Sequence, residues 1–130
     1  MKNIAIFGGG GFGREVKTII DAINKQIPNT YNFIGFYDDG IEKGSVVNGF
    51  PVLGGVDDLN KIISNLELVI ALGDSKVKKK IIEKIEMSKL LMEVGRIRIF
   101  HKFRMFNTKY NYLFTSLLYA LSDFINIYSK

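Results

Sequence analysis

The chain has 130 residues, 47% hydrophobic, 24% charged and 12% aromatic, with 13 glycines, two prolines, no cysteine and a formal charge of +5. That length suits one compact domain with its own core better than two. The lack of cysteine excludes a disulfide framework and cysteine-ligated zinc. No basic n-region or apolar h-region precedes the first strand at Lys2, so the expected compartment is the cytoplasm.

Charge and aromatic residues divide the chain. Residues 1–95 carry 12 basic and 12 acidic side chains and all 13 glycines, whereas residues 96–130 carry six basic and one acidic side chain and nine of the 16 Phe and Tyr residues. The excess charge therefore sits in a glycine-free tail, and residues 1–95 are read as one domain with residues 96–130 as an atypical extension.

Residues 3–7 (NIAIF) form a short apolar run that stops in Gly8, Gly9, Gly10 and Gly11. This is the pattern of a buried parallel strand ending in a tight turn. Val16, Ile19, Ile20 and Ile23 then recur at helical spacing, leaving Arg14, Lys17, Asp21 and Asn24 for solvent, until Pro28 ends the segment. Residues 32–37 (NFIGFY) predict a second strand closed by Asp38, Asp39 and Gly40, which completes a βαβ unit. A Gly- and Asn-rich loop over 44–49 leads through Pro51, Val52 and Leu53 to Gly54 and Gly55, and a helix is predicted over 56–66 with Leu59, Ile62, Ile63 and Leu66 on its packing face. Residues 68–72 (LVIAL) predict a third strand ending at Gly73 and Asp74. From Ser75 a helix places Val77, Ile81, Ile82 and Ile85 on one face and Lys76, Lys78, Lys79 and Lys80 on the other. The order βαβαβα predicts a Rossmann-like open parallel α/β sheet.

Gly8, Gly10, Gly11, Phe12 and Gly13 satisfy Gly-x-Gly-x-x-Gly directly after a strand and at the opening of a helix. There the pattern has a mechanism, because backbone without Cβ lets a phosphate approach and unpaired amides favour its charge. The alternative is a glycine turn that only lets helix and strand pack closely. Asp38 and Asp39 end the second strand, where such folds place an acid for ribose hydroxyls, and Asp-Asp-Gly is equally good turn chemistry. Gly73 and Asp74 end the third strand at the same edge of the sheet, and Asp74 also suits a helix N-cap. The lysine run reads as a solvated helix face, and His101 stands apart from any nucleophile or acid in a recognisable arrangement. No cluster has metal-ligand spacing. Residues 1–95 thus read as a binding site without a base set against a nucleophile.

The segments IAIFGGGGFGREV, FIGFYDDG, NGFPVLGGVDDL and LVIALGDSKVKKKI resemble, in order and spacing, the N-terminal nucleotide-sugar-binding domain of the sialic-acid O-acetyltransferase and UDP-4-amino-sugar N-acetyltransferase family (PglD/NeuD-like hexapeptide acyltransferases). The resemblance covers residues 2–87. It implies a UDP-sugar ligand, with Gly8, Gly10, Gly11 and Gly13 near the phosphates, Asp38 and Asp39 near the uridine, and Gly73 with Asp74 as the third loop. Phe12 departs from the histidine of many members, and Arg14 is placed either to reach a phosphate or to lie in solvent. Family members continue into a left-handed β-helix of hexapeptide repeats that binds acetyl-CoA and supplies the catalytic histidine. Residues 96–130 have no glycine and no six-residue period, so this chain alone is expected to bind a nucleotide sugar without acetylating it, as a truncated sugar acetyltransferase with no cofactor of its own.

For the tail, residues 96–104 fit a basic edge strand, and residues 113–127 fit a helix with Leu117, Leu118, Leu121, Phe124 and Ile125 on one side. A basic stretch followed by an apolar, Tyr-rich one also fits an interfacial membrane helix, while Ser116, Ser122, Asp123 and Asn126 argue against a full span. No nucleic-acid-binding motif accompanies the basic and aromatic residues, and an abrupt turn to Lys, Asn, Ile, Phe and Tyr is also what a frameshift in AT-rich DNA produces. The competing functional readings are an NAD(P)-binding oxidoreductase domain and a non-enzymatic module whose tail contacts a membrane. The sequence leaves the oligomeric state open.

Overall fold

The computed structural model describes residues 1–62, 64–92 and 97–99, and Met1–Ile99 form one unit of the chain. The expectations for residues 100–130, the 113–127 helix among them, lie outside the described residues.

Nine elements follow in order: β1 (Lys2–Phe7), α1 (Gly11–Gln26), β2 (Tyr31–Tyr37), β3 (Val46–Val47), β4 (Phe50–Gly54), α2 (Val56–Leu59), β5 (Leu66–Ile70), α3 (Ser75–Met92) and β6 (Ile97–Ile99). The sheet order is β3-β4-β2-β1-β5-β6. Five strands run parallel, and β3 pairs antiparallel with β4 at one edge. The fold is the expected Rossmann-like α/β sheet, with one correction. The loop expected over 44–49 contains β3, which forms a short hairpin with β4, and β4 itself joins the parallel ladder through Phe36↔Val52 and Tyr37↔Gly54. Pro51 hid this strand from sequence reasoning, because proline removes a ladder donor and demotes a run to edge or loop.

Alternation along β1 sends its side chains to both faces. Ala5 and Phe7 join Tyr37, Val56, Leu59, Leu66, Leu68, Ile70, Ile81 and Ile85 in one buried cluster, so α2 and α3 cover that face. Ile4 and Ile6 point the other way, toward α1, whose buried stripe is Val16, Ile20 and Ile23. Helices on both faces bury the central strands, which is why β1 and β5 read as continuous apolar runs.

Two further expectations change. Leu66 opens β5 instead of closing a helix, and α2 is only Val56–Leu59. Parallel pairing of Ile4 with Glu67 and Ala5 with Leu68 draws the chain into the sheet two residues earlier than periodicity indicates. Lys17 is not solvated but only 8% exposed. Its ammonium lies 4.4 Å from the Phe50 ring centroid and 5.1 Å from that of Phe33, and it pairs with Asp21 at 2.5 Å. Burial of the stem, the ring faces and the carboxylate together offset its desolvation. A bulge in β2, where Ile4↔Phe33 is followed by Ala5↔Gly35, shifts the alternation. Phe33 and Phe36 then share a face, with ring centroids 5.2 Å apart in a T-shaped contact.

On α3, Ile81 and Ile85 are buried as expected, but Val77 is 44% exposed and lies off the packing face. Leu68→Ala should therefore cost about 2–5 kcal/mol by cavity formation, while Val77→Ala should change stability by about 0.5 kcal/mol or less. Urea denaturation of the two variants beside the parent chain measures the contrast.

Candidate functional site

In an open α/β sheet ligands bind outside the carboxyl ends of the strands, where the chain order reverses. From β1 the chain runs outward to β2 and β4, then crosses back to β5 on the other side of β1. The switch point is therefore the crevice between β1 and β5. Its banks are the loop after β1, which carries the glycines, and the loop after β5, which carries Gly73 and Asp74.

The glycines divide into two pairs by what they touch. Gly8 has φ +116°, and a Cβ there would strike the Ala71 carbonyl oxygen, while a Cβ on Gly13 would run into the Gly8 carbonyl oxygen. These two are required for packing: they let α1 cross directly over the end of β1. Gly10 and Gly11 face open space. A Cβ on Gly10 would meet nothing within 4 Å, and one on Gly11 would meet only Arg14 Nη2 at 4.0 Å. Gly10 is the N-cap of α1, no side chain caps the helix, and its first turn contains no acid. The opening amides of α1 are thus left bare among the described residues, with the positive end of the helix dipole and the Arg14 guanidinium beside them. Phe12 is half-buried on the same turn. The packing reading of the glycine motif thus applies to Gly8 and Gly13, while Gly10 and Gly11 are not explained by packing.

The acids are more committed. Asp38 accepts the Gly9 N–H on Oδ2 at 2.8 Å and the Gly40 N–H on Oδ1 at 2.7 Å. Asp39 is exposed, and its Oδ1 accepts the Val56 N–H at 2.8 Å at the start of α2. Asp74 caps α3 by accepting the Lys76 and Val77 N–H groups at 2.8 and 3.3 Å. Gly73 is exposed with open space at its Cα. Backbone bonds from Gly8 N to Tyr37 O, Ala71 N to Phe7 O and Asp38 N to Gly54 O tie the ends of β1, β2, β4 and β5 into one rim.

Sequence reasoning missed a group beside this rim. Asp58 accepts from Lys43 Nζ at 2.9 Å and from the Gly55 N–H at 3.2 Å. The Lys43 bond first and the Gly55 bond second hold its carboxyl below the usual carboxylate range. Burial, reinforced by the Asp58 charge, pushes the Tyr37 phenol up to about 12, so it stays a neutral hydroxyl. The signal was present in the sequence: an acid three residues beyond a glycine N-cap is the capping position. Ile41 and Val47 were also missed; their side chains lie over Gly9. Among the described residues, no group of His, Cys, Asp and Glu side chains is placed to hold a metal, and no helix is long and apolar enough to cross a membrane.

Gly13→Ala should destabilise the fold strongly, because the clash is with backbone that cannot rotate away. Gly11→Ala should leave stability unchanged or raise it by up to about 1 kcal/mol, since alanine is the better helix former where space is open. Thermal melts of the two variants read this directly. The lowered Asp58 carboxyl stabilises the fold above the ordinary carboxylate range, and that contribution is lost as pH falls through its lowered value. Urea midpoints between pH 7 and pH 2 should therefore fall less steeply in Asp58→Asn than in the parent.

The comparisons with known proteins agree with this fold. A family model described as the PglD N-terminal domain matches residues 3–85. Among solved structures, the chain is similar to the acetyltransferase domain of PglB from Neisseria gonorrhoeae FA1090 in complex with acetyl coenzyme A, at 27% identity and a TM-score of 0.50. The similarity covers 67% of this chain and 40% of that one, so this chain spans less than half the length of the structure it matches. No curated protein matches the chain. With its Rossmann-like sheet, its glycine loop at the switch point and a family match over most of the described residues, the chain belongs to the PglD N-terminal domain family.

Proposed function

We propose that this domain binds a nucleoside-diphosphate sugar, of the UDP-linked amino-sugar class, and presents the sugar to an acetyl-transferring partner domain. The diphosphate lies on the bare opening turn of α1 at Gly10, Gly11 and Phe12, with Arg14 beside it. The uridine extends toward Asp38 and Asp39 at the ends of β2 and β4, and Gly73 and Asp74 form the opposite bank. The observation that carries the reading is the uncapped, acid-free N-terminus of α1 at the switch point, with open space at Gly10 and Gly11. A diphosphate supplies the acceptors and the negative charge that this turn lacks.

In this reading the wider enzyme transfers acetyl from acetyl-CoA, in the modification of surface-polysaccharide or sialic-acid-type sugars in the cytoplasm. In this reading residues 1–99 provide the nucleotide-sugar end of the reaction. The acetyl-CoA site and the base belong to hexapeptide-type sequence, which residues 96–130 do not contain. The PglB acetyltransferase domain is in complex with acetyl coenzyme A, and the similarity to it supports the same acetyl donor for the enzyme to which this domain contributes.

The nicotinamide-dinucleotide alternative needs a carboxylate at the end of β2 that is free to accept ribose hydroxyls. Both Asp38 oxygens already accept backbone N–H groups and one Asp39 oxygen holds α2, which leaves the second Asp39 oxygen as an acceptor for a ribose of either ligand, so the acids do not decide between the two readings. Calorimetric titration separates the two readings: UDP-GlcNAc or its 4-amino derivative should bind and NADH should not. Gly11→Val should weaken the UDP-sugar by roughly tenfold or more, since a hydrogen bond to a charged group contributes about 1.5–3 kcal/mol. Micromolar NADH binding with no UDP-sugar binding would overturn the reading.

A further inference from the structure

The paired acids after β2 have the same chemistry and different surroundings. Asp38 is half-buried. Its Oδ2 takes the N–H of Gly9, a buried residue over which Ile41 and Val47 pack, and its Oδ1 takes the N–H of Gly40. The carboxylate therefore clamps the middle of the glycine loop to the turn after β2. Gly9 immediately precedes Gly10, the N-cap of α1. Whatever fixes the Gly9 peptide fixes the direction of the amides that follow. Asp39 is exposed, and only its Oδ1 is engaged among the described residues.

We propose that Asp38 is a positioning residue of the nucleotide-sugar site, setting the glycine-loop backbone through Gly9 without touching the ligand, and that Asp39 is the acid of the pair that meets it. The inference rests on the nucleotide-sugar reading above and divides the two acids within it. A buried backbone N–H must find an acceptor, and the Asp38 carboxylate is the acceptor that Gly9 has. A ribose hydroxyl reaching Asp38 would have to enter where the Ile41 and Val47 side chains already cover the loop. Asp39 is exposed, and its second carboxylate oxygen has no hydrogen-bond partner among the described residues.

Two measurements on the full chain test the assignment. The first needs no ligand: in Asp38→Ala the Gly9 amide should exchange its proton at least tenfold faster than in the parent, relative to core amides of β1, and Asp38→Asn, which keeps one oxygen acceptor, should restore part of that protection. The second compares calorimetric affinities for UDP-GlcNAc and its 2′-deoxyuridine analogue. Asp38→Ala should weaken both ligands by the same factor, tenfold or more, leaving their ratio as in the parent, whereas Asp39→Asn should bring the ratio toward one. The proposal is overturned if Asp38→Ala abolishes the ratio while Gly9 stays protected, or if neither affinity nor protection changes. If the parent binds neither uridine ligand, the nucleotide-sugar reading fails and ligand positioning fails with it. The exchange of Gly9 then still decides whether Asp38 sets the loop.

Discussion

The approach of α1 to the end of β1 is the constraint on which the rest of this domain depends. A helix can begin directly over a strand only where no Cβ stands between them, and here the Gly13 Cα faces the Gly8 carbonyl while Gly8 itself faces the Ala71 carbonyl. Two missing methyl groups bring β1, α1 and the loop after β5 to one point. That point is also where the strand order reverses, so the positive end of a 16-residue helix opens into the crevice between β1 and β5. Within the same loop Gly8 and Gly13 make the approach, and Gly10 and Gly11 leave the amides uncovered.

Around that point the carboxylates act chiefly as clamps. Asp38 joins the glycine loop to the turn after β2, Asp39 joins that turn to α2, Asp58 joins α2 to Gly55 and Lys43, and Asp74 caps α3. Each satisfies backbone donors that would otherwise be orphaned at a helix start or a tight turn. The result is a rim of short loops held by charge-assisted hydrogen bonds, the rigidity that the proposed diphosphate site calls for. It also means that acids at strand ends cannot be assigned to a ligand from position alone. The partner of each oxygen decides.

Much of this was legible in the sequence. The β1–α1–β2 unit, the glycine loop and its place at the switch point followed from an apolar run, a glycine quartet and a 3.6-residue period, each a local signal that agrees with the fold around it. What was not legible depended on partners distant in the chain. The solvent position expected for Lys17 overlooked Phe50, which belongs to a strand that Pro51 disguised. The short helix expected over 56–66 stops at Leu59, and Leu66 joins β5, because central parallel pairing outweighs local periodicity there. The site divided in the same manner. Spacing identified the Asp38–Asp39 pair, but not that the Gly9, Gly40 and Val56 amides are their backbone partners. The mixed sheet arises from the same source: Val46 and Val47 are too few to register as a strand, and only the hairpin with Phe50 and Pro51 makes them one.

The central claim is that uncovered main-chain amides at the start of α1 hold a diphosphate. Amide correlation spectra of the labelled chain, recorded as UDP-GlcNAc is added, address it most directly. The account predicts that Gly10, Gly11, Phe12 and Gly13 show the largest and earliest shifts, and that inorganic pyrophosphate moves the same four. Shifts confined to other surfaces, such as the lysine face of α3, with these four amides unmoved at saturating ligand, would contradict it.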